Sequence, residues 1–281
     1  MCSAMKTSCQ GPLPIPLSSD PYLFDGVALD DRGISAVLSM VDTVSHDCYH
    51  YQCEIPDMPL EAKIPTKACK DVFHAFMTRA IELDAETGMP VMRRELAVPN
   101  GVIAFSDAMN NANRDFGCYV HFYEHDDHIE RFWNSPRRCM ARLGKYAGFI
   151  SPDYSITPDM PKPQRAYNAY RNMLVGAWQQ TLGYKAICNV RCSYFDDSML
   201  AGAPKKGLIA IGAVGCIKNR NNRHRFEGGI IRIVDELEPS GLVIVGTDAY
   251  GVFEYPKRKG IPLYFYPGRT QKRFEELGYE Q

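Results

Sequence analysis

The stretch that decides the fold is Gly148-Phe-Ile-Ser-Pro-Asp153-Tyr-Ser155, an apolar run that ends abruptly in Ser-Pro-Asp. Pro152 lacks the N–H that a sheet ladder needs, so the predicted strand ends before it. Asp153 then lies just beyond the carboxyl end of a strand, where α/β folds build their sites. The alternative is an Asx turn, in which the Asp153 side chain accepts hydrogen bonds from backbone N–H groups two residues on.

Six further runs share the character of this one: most are short, continuous apolar segments, as expected of strands that are covered on both faces. The seven predicted strands are Val102–Phe105, Cys118–Tyr123, Ala147–Ile150, Ala186–Val190, Leu208–Ile211, Leu242–Val245 and Leu263–Tyr266.

Helical periodicity lies between these strands. The predicted helices are His128–Leu143, Gln164–Leu182 and Asn222–Leu237, with an earlier one at Thr66–Leu83. Alternating strands and helices predict an α/β fold of repeated βα units with a mostly parallel sheet. The sheet is either TIM-barrel-like, with an eighth strand from residues 27–64, or open and doubly wound.

Composition sets the broad class. The chain has 281 residues, 45% of them hydrophobic and 23% charged, with a net charge of −1, so no global field draws it to nucleic acid or a membrane. No apolar run reaches the length of a membrane span, and the N-terminus has no secretory signal. The ten cysteines therefore indicate reduced thiols and a cytoplasmic protein. We expect an irregular arm at 1–26, an N-terminal region at 27–95 and an α/β domain at 96–281.

Several motifs occur in order from about Leu96 onward. They are Val120-His-Phe-Tyr123, Glu130-Arg-Phe-Trp-Asn134, Ser151-Pro-Asp-Tyr-Ser155, Asp159-Met-Pro161, Asn168-Ala-Tyr-Arg171 and Gly215-Cys-Ile-Lys-Asn219. Through them, residues 96–268 resemble an uncharacterised family of bacteria, phages and mobile elements, the domain of unknown function family 4417. The resemblance implies a phage-like setting and brings no established activity.

Polar residues at the predicted strand ends are the candidate catalytic and metal-binding groups. Asp153 can act as general base, nucleophile or ligand of Mg²⁺ or another divalent metal. His121 lies on the preceding strand, and Asp126 is a second candidate metal ligand in the His- and Asp-rich segment that follows it. The alternatives are a hydrogen-bonded strand histidine and an acidic helix cap made by Asp127 and Glu130.

Asn189 and Arg191 share one face of the next strand, because side chains alternate with a period of two. Arg191 can clamp a phosphate or carboxylate, and its alternative role is an ion pair with Asp153 or Asp196. Asp196 is either a further catalytic carboxylate or a helix N-cap.

A glycine-containing basic loop follows the fifth strand. Gly215, Lys218 and Arg220 are predicted to hold an anion on backbone N–H groups and cationic side chains, although a solvated basic face explains them as well. The loop lacks the Gly-Lys-Ser/Thr ending of a Walker loop and the third glycine of a dinucleotide fingerprint. Arg171, from the long helix, and Asp248, after the sixth strand, complete the predicted ligand contacts.

These features predict a protein that acts on or binds a phosphate-bearing ligand, either a nucleotide or nucleic acid. If it is an enzyme, we expect a carboxylate- or metal-dependent hydrolase or transferase. The alternative is a non-catalytic module that sequesters a host protein or a signalling nucleotide. The sequence does not indicate an oligomeric state.

Overall fold

The computed structural model describes residues 71, 73–110, 115–191, 198–269 and 271–272. The predicted arm at 1–26, most of the region at 27–95 and Asp196 lie outside these residues. The predicted boundary at residue 95 therefore stays a prediction.

Within the described residues, seven strands form one sheet at the seven positions that the apolar runs predict. They are β1 (Val102–Ala104), β2 (Tyr119–His121), β3 (Gly148–Ile150), β4 (Ala186–Asn189), β5 (Leu208–Gly212), β6 (Gly241–Val245) and β7 (Leu263–Tyr266). Every neighbouring pair is parallel, and the spatial order follows the chain order from β1 to β7. The prediction of an α/β fold with repeated βα units is confirmed.

The helices of the described residues lie between the strands. They are α1 (Phe105–Ala108), α2 (Asp126–Asn134), α3 (Pro136–Leu143), α4 (Lys162–Thr181), α5 (Arg220–Leu237) and α6 (Glu254–Arg258). None of these helices has the length and apolar character needed to cross a membrane.

Two helix predictions are wrong in part. The helix predicted from His128 to Leu143 is two helices, because Ser135 leaves the helical conformation (φ −151°) and Pro136 starts a new helix. In the described part of the predicted Thr66–Leu83 helix, only Ala75–Thr78 is helical, as a 3₁₀ turn that follows left-handed His74 (φ 53°).

The two faces of the sheet are buried in different ways. Side chains from α2, α3, α4 and α5 pack in the large core on one face. The other face forms a second cluster to which every strand contributes and no helix does: Val102, Tyr119, Ile150, Ile187, Leu208, Ala210, Val243 and Val245, with Tyr264 and Tyr266 packed against them. The sheet is thus curled around its own side chains, with the helices outside.

This arrangement resembles a TIM barrel more closely than a doubly wound sheet. In a doubly wound sheet the strand order reverses and helices cover both faces, whereas here the order runs in one direction. Within the described residues no ladder joins β1 to β7, so the strands make a curled, barrel-like sheet of seven.

Side chains connect the two edges of this sheet at several points. The Tyr266 hydroxyl, from β7, donates to the Pro99 carbonyl just before β1 at 2.5 Å. Arg269, beyond β7, donates two hydrogen bonds to Asp107 (3.0 and 2.8 Å) and one to Glu124 (2.9 Å). The segments that flank the two edge strands are therefore held together by polar contacts.

Candidate functional site

Asp153 lies where the sequence predicts it, just past the carboxyl end of β3, and it is buried. Its Oδ1 accepts hydrogen bonds from Asn189 Nδ2 (3.0 Å) and Arg191 Nε (3.1 Å), and its Oδ2 accepts from Arg191 Nη2 (2.5 Å). The Ser155 N–H, which an Asx turn at Asp153 would use, donates to Asp126 instead, at 3.1 Å. Asp153 thus binds residues at and just beyond the carboxyl end of the neighbouring strand β4, and does not cap its own turn.

Asn189 connects three strand ends. Its Nδ2 also donates to the Pro152 carbonyl (2.9 Å), its backbone N–H donates to Ser151 Oγ (2.9 Å), and its Oδ1 accepts from the Tyr123 hydroxyl (3.0 Å). Tyr123 follows β2, and Ser151 and Pro152 follow β3. Asn189, at the end of β4, therefore contacts the residues beyond both of these strands. A buried network with several satisfied members is rigid, and this one fixes the floor of the site.

The electrostatics of this network follow from burial. Burial raises the pKa of Asp153, while the charge of Arg191 and the hydrogen bond from Asn189 oppose that rise. Asp153 raises the pKa of Arg191 in turn. Burial, and next the charge of Asp153, raise the pKa of Tyr123 well above its ordinary value, so its hydroxyl remains a donor. The Cys216 thiol has a pKa raised by burial, which makes it a poor nucleophile at neutral pH.

A cavity of about 640 Å³ opens above this network at the carboxyl ends of the strands. It brings together five of the sequence-predicted residues: Asp153, Arg191, Asn189, Asp126 and Gly215. The rest of the wall includes Tyr123, Glu124, His125, His128, Ile156, Ile211, Cys216, Asn222, Arg225, Phe226, Ile230, Ile233 and Arg269.

The tight packing of Tyr123 explains why position 212 in this wall is a glycine. A Cβ atom at Gly212 would lie 2.4 Å from the Tyr123 ring, so only glycine leaves room for the ring at the end of β5. Gly215 has a left-handed backbone (φ 78°), which turns the loop that leads to α5. The glycines thus shape the cavity through backbone geometry.

Other predicted residues lie apart from the cavity wall. Lys218 and Arg220 are exposed beside it, and Asp248 accepts from the Lys257 amine (2.5 Å) and the Phe253 N–H (3.3 Å). Arg171 donates to Glu130 (2.8 Å) and lies 3.7 Å from the Tyr154 ring centroid, within the packing of α4. Their roles as ligand contacts stay predictions, as does the role of Asp196, which is outside the described residues.

His121 is a buried residue of β2 beneath the wall. Its Nδ1 accepts a hydrogen bond from the Tyr123 N–H at 3.2 Å, and its ring lies 5.5 Å from the Tyr123 ring. Burial lowers the pKa of His121 to about 3, although the charge of Asp107 opposes this. The arrangement is that of a hydrogen-bonded strand histidine, and a catalytic role for it stays a prediction.

Acidification is expected to destabilise the protein through His121. Its pKa is about 3 in the folded chain and 6.5 as an ordinary value, so below pH 6.5 only the unfolded chain takes up this proton. The contribution of His121 to the free energy of unfolding is constant above about pH 7.5 and falls by about 1.4 kcal/mol at pH 5.5. Urea unfolding at both pH values, on wild type and His121→Gln, measures it. The variant is expected to lose less stability on acidification, and an equal loss in both proteins would contradict the prediction.

Among the wall residues that are missing from the sequence-based set of site residues are Tyr123, Arg225 and Arg269. Tyr123 could have been found, because it follows His121 by two positions, the period of a strand. Arg225 belongs to the basic run that leads from the loop after β5 into the first turns of α5. Arg269 gives no sequence signal, because its partners Glu124 and Asp107 are 145 and 162 positions away.

The part of the chain that the structure describes contains no preformed cluster of metal-binding side chains. No group of three or more His, Cys, Asp or Glu side chains there is arranged to hold an ion. Asp126 accepts from the Ser155 N–H and hydroxyl, and Asp153 accepts from Arg191, so both predicted metal ligands already have protein donors.

Fold and site together define an α/β protein whose parallel strands present a ligand-sized cavity at their carboxyl ends. The chain belongs to the family described as Domain of unknown function (DUF4417), whose model matches residues 81–257. This confirms the resemblance found in the sequence.

Two phage proteins are similar to this chain. It is 28% identical over 158 residues to the Gene 1 protein of Mycobacterium phage D29, a match that covers 55% of this chain and 58% of the relative. It is 28% identical over 167 residues to the Gene 1 protein of Mycobacterium phage L5, covering 54% and 73%. The chain thus spans little more than half of the D29 protein. No solved structure matches it.

Proposed function

We propose that the cavity binds a phosphate-bearing ligand, a nucleotide or a nucleotide within nucleic acid. The observation that carries this proposal is an arginine of the cavity wall that pairs with no described carboxylate. Each buried carboxylate there already has protein donors, whereas Arg225 is exposed on the wall and makes no ion pair with any described residue.

Two of the three wall carboxylates are paired with arginines, and the third, Asp126, accepts hydrogen bonds from the Ser155 N–H and hydroxyl. Arg191 binds Asp153 with two nitrogens, and Arg269 binds Glu124, which also accepts from the Ser106 N–H at 2.8 Å. What the wall offers a ligand is therefore the guanidinium of Arg225, together with the donors of nearby polar side chains. An anion is the ligand that such a wall favours.

The size and apolar part of the wall favour a nucleotide over a small inorganic anion. A volume of about 640 Å³ falls in the range of small-molecule sites. Ile211, Phe226, Ile230 and Ile233 supply an apolar surface for a base, and Arg225 lies one position before Phe226 on α5. The wall therefore matches a ligand with an apolar ring at one end and a charged group at the other.

We assign Asp153 a positioning role in this site. Both oxygens of Asp153 accept from Arg191, and Oδ1 accepts from Asn189 as well, so the protein occupies three acceptor positions of the carboxylate. The network favours binding without turnover, which is the behaviour of a sequestering module. In that role Asp153 holds Arg191 in place and neutralises it, so that Arg225 dominates the field of the cavity.

Titration calorimetry with the four ribonucleoside diphosphates, pyrophosphate and adenosine tests the proposal. We expect at least one diphosphate to bind, and Arg225→Gln to weaken that binding about tenfold, the loss of about 1.4 kcal/mol. Arg138→Gln is the matched control, because Arg138 is an exposed arginine of α3 outside the wall. It should bind within about twofold of wild type.

Two outcomes would contradict the proposal. One is the absence of binding by every diphosphate and by pyrophosphate at about 1 mM. The other is equal affinity in wild type and Arg225→Gln. Chromatography of the recovered nucleotide tests the positioning role, since conversion to product that is lost in Asp153→Asn would favour Asp153 as a base.

A further inference from the structure

A basic and aromatic surface lies beside the cavity, at the start of α5. We call it the Tyr250 platform and define it by Lys218, Arg220, Arg223 and Tyr250. The Arg223 guanidinium carbon lies 4.1 Å from the centroid of the Tyr250 ring, which comes from the segment after β6. Tyr250 is 65% exposed, so the ring offers much of its surface to a partner.

The charges of the platform are not balanced by the protein. Lys218 and Arg220 are exposed, and none of the three cations makes an ion pair with any described residue. By contrast, Lys257 and Lys259 on the neighbouring α6 segment contact Asp248 and Asp235 at 2.5 and 3.6 Å. The positive field is therefore concentrated at the α5 side of Tyr250, where a chain of phosphates would be attracted.

The backbone at Tyr250 presents the ring at a cost. Tyr250 has a left-handed conformation (φ 73°), which an aromatic L-residue rarely adopts. Burial of the ring does not offset this cost, because the ring is largely exposed. The same loop continues into Val252 and Phe253, which are buried, so the strained residue is held on a fixed base.

The platform is continuous with the cavity along the first turns of α5. Asn222 and Arg225 line the cavity, and Arg223 between them contacts Tyr250. The platform and the cavity wall therefore both include residues of the first turns of α5.

We infer that the protein binds single-stranded nucleic acid, with a base stacked on Tyr250 and phosphates on Lys218, Arg220 and Arg223. A single strand is favoured over a duplex because stacking on a side chain needs a base that is free of its neighbours. The inference deepens the proposed function and rests on it for the nucleotide in the cavity. The stacking step on Tyr250 is a separate contact and is tested separately.

The test is fluorescence anisotropy with labelled oligothymidylate and oligouridylate of about 12 nucleotides, a length in the range that single-strand sites cover. A duplex of the same length is the third arm, and the DNA and RNA arms separate the two sources of single strand. Tyr250→Gly removes the ring at a position whose backbone suits glycine, so it should fold. Tyr250→Phe keeps the ring and is the matched control.

We expect a single strand to bind more tightly than the duplex. Tyr250→Gly should weaken single-strand binding about tenfold, with Tyr250→Phe close to wild type. Lys218→Gln should reduce the slope of log affinity against log salt by about 0.7, the value of one lost phosphate contact, whereas Tyr250→Gly should leave that slope unchanged.

Duplex binding as tight as single-strand binding, or wild-type affinity in Tyr250→Gly, would overturn the inference. Displacement of the oligonucleotide by polyglutamate with the same sensitivity to Tyr250 would also overturn it, because it would indicate an acidic polypeptide partner. Nucleotide binding that depends on Arg225, without oligonucleotide binding, would overturn the inference and leave the proposed function standing. Oligonucleotide binding that depends on Tyr250, without any nucleotide binding that depends on Arg225, would support the stacking contact and overturn the proposed function.

Discussion

Replacing Arg191 by Met is expected to lower the free energy of unfolding by about 2–4 kcal/mol, because it leaves buried Asp153 without the counter-charge of a partly exposed arginine. Asp153 is only 8% exposed, and its two oxygens receive two hydrogen bonds from Arg191 and one from Asn189. Methionine fills much of the same volume but leaves the carboxylate without its counter-charge. Urea unfolding at pH 7, followed by circular dichroism, measures the loss.

The control for this prediction is the double variant Asp153→Asn with Arg191→Met. It removes both charges, so it should recover part of the stability lost in Arg191→Met alone. The loss in Arg191→Met should also shrink as the pH falls, because protonation of Asp153 removes the unpaired charge, and burial already raises its pKa. A loss below about 1 kcal/mol at pH 7 would show that water reaches the pair and that it is not a buried element of the site.

The strands could be predicted because each leaves a strong local signal. A run such as Leu242–Val245 is apolar at every position, since the curled sheet has one face against helices and the other against its own interior. The helix ends were harder to place, because only Ser135 leaves the helical conformation and the helical pattern resumes at Pro136. The choice between curled and doubly wound sheets could not be made, because strand order depends on contacts between residues far apart in the chain.

The centre of the site could be predicted for a related reason. Asp153 follows β3, and Asn189 and Arg191 lie at the end of β4, the adjacent parallel strand. Consecutive strands of βα units are usually neighbours in the sheet, and polar residues at neighbouring strand ends lie close together, so chain order and a period of two favoured this grouping. The ion pair between Asp153 and Arg191 was one of the roles expected for that arginine, and the structure shows its geometry.

Neutralisation of Asp153 changes how the rest of the site should be interpreted. An unpaired carboxylate at a strand end indicates a base or a metal ligand. A carboxylate that is bound by an arginine and an amide instead holds those two side chains in position. The charge that remains available lies on α5, in Arg225 and in the Tyr250 platform. The basic loop was predicted, but its contact with Tyr250 could not be, because it joins residues 27 positions apart through the packing of two separate βα units.

Replacing Arg269 by Met is expected to lower the free energy of unfolding by about 2–3 kcal/mol, because it leaves a buried carboxylate without its counter-charge. The side chain of Glu124 is only 3% exposed, and without Arg269 it keeps the Ser106 N–H but loses its counter-charge. The change also removes both hydrogen bonds from Arg269 to Asp107, which connect the segment after β7 to α1.

Urea unfolding combined with native-state hydrogen exchange tests both consequences of losing Arg269. Exchange should rise most at the edges of the sheet, in β1 and β7, because Arg269 joins the segments that flank them and no ladder of the described residues does. Glu124→Gln with Arg269→Met is the control, since a neutral amide at position 124 removes the buried charge and should recover part of the stability. Equal stability of wild type and Arg269→Met, with unchanged exchange in β1 and β7, would contradict this prediction. It would mean that the interior cluster alone keeps the sheet curled, and that the contacts of Arg269 are a consequence of the curl.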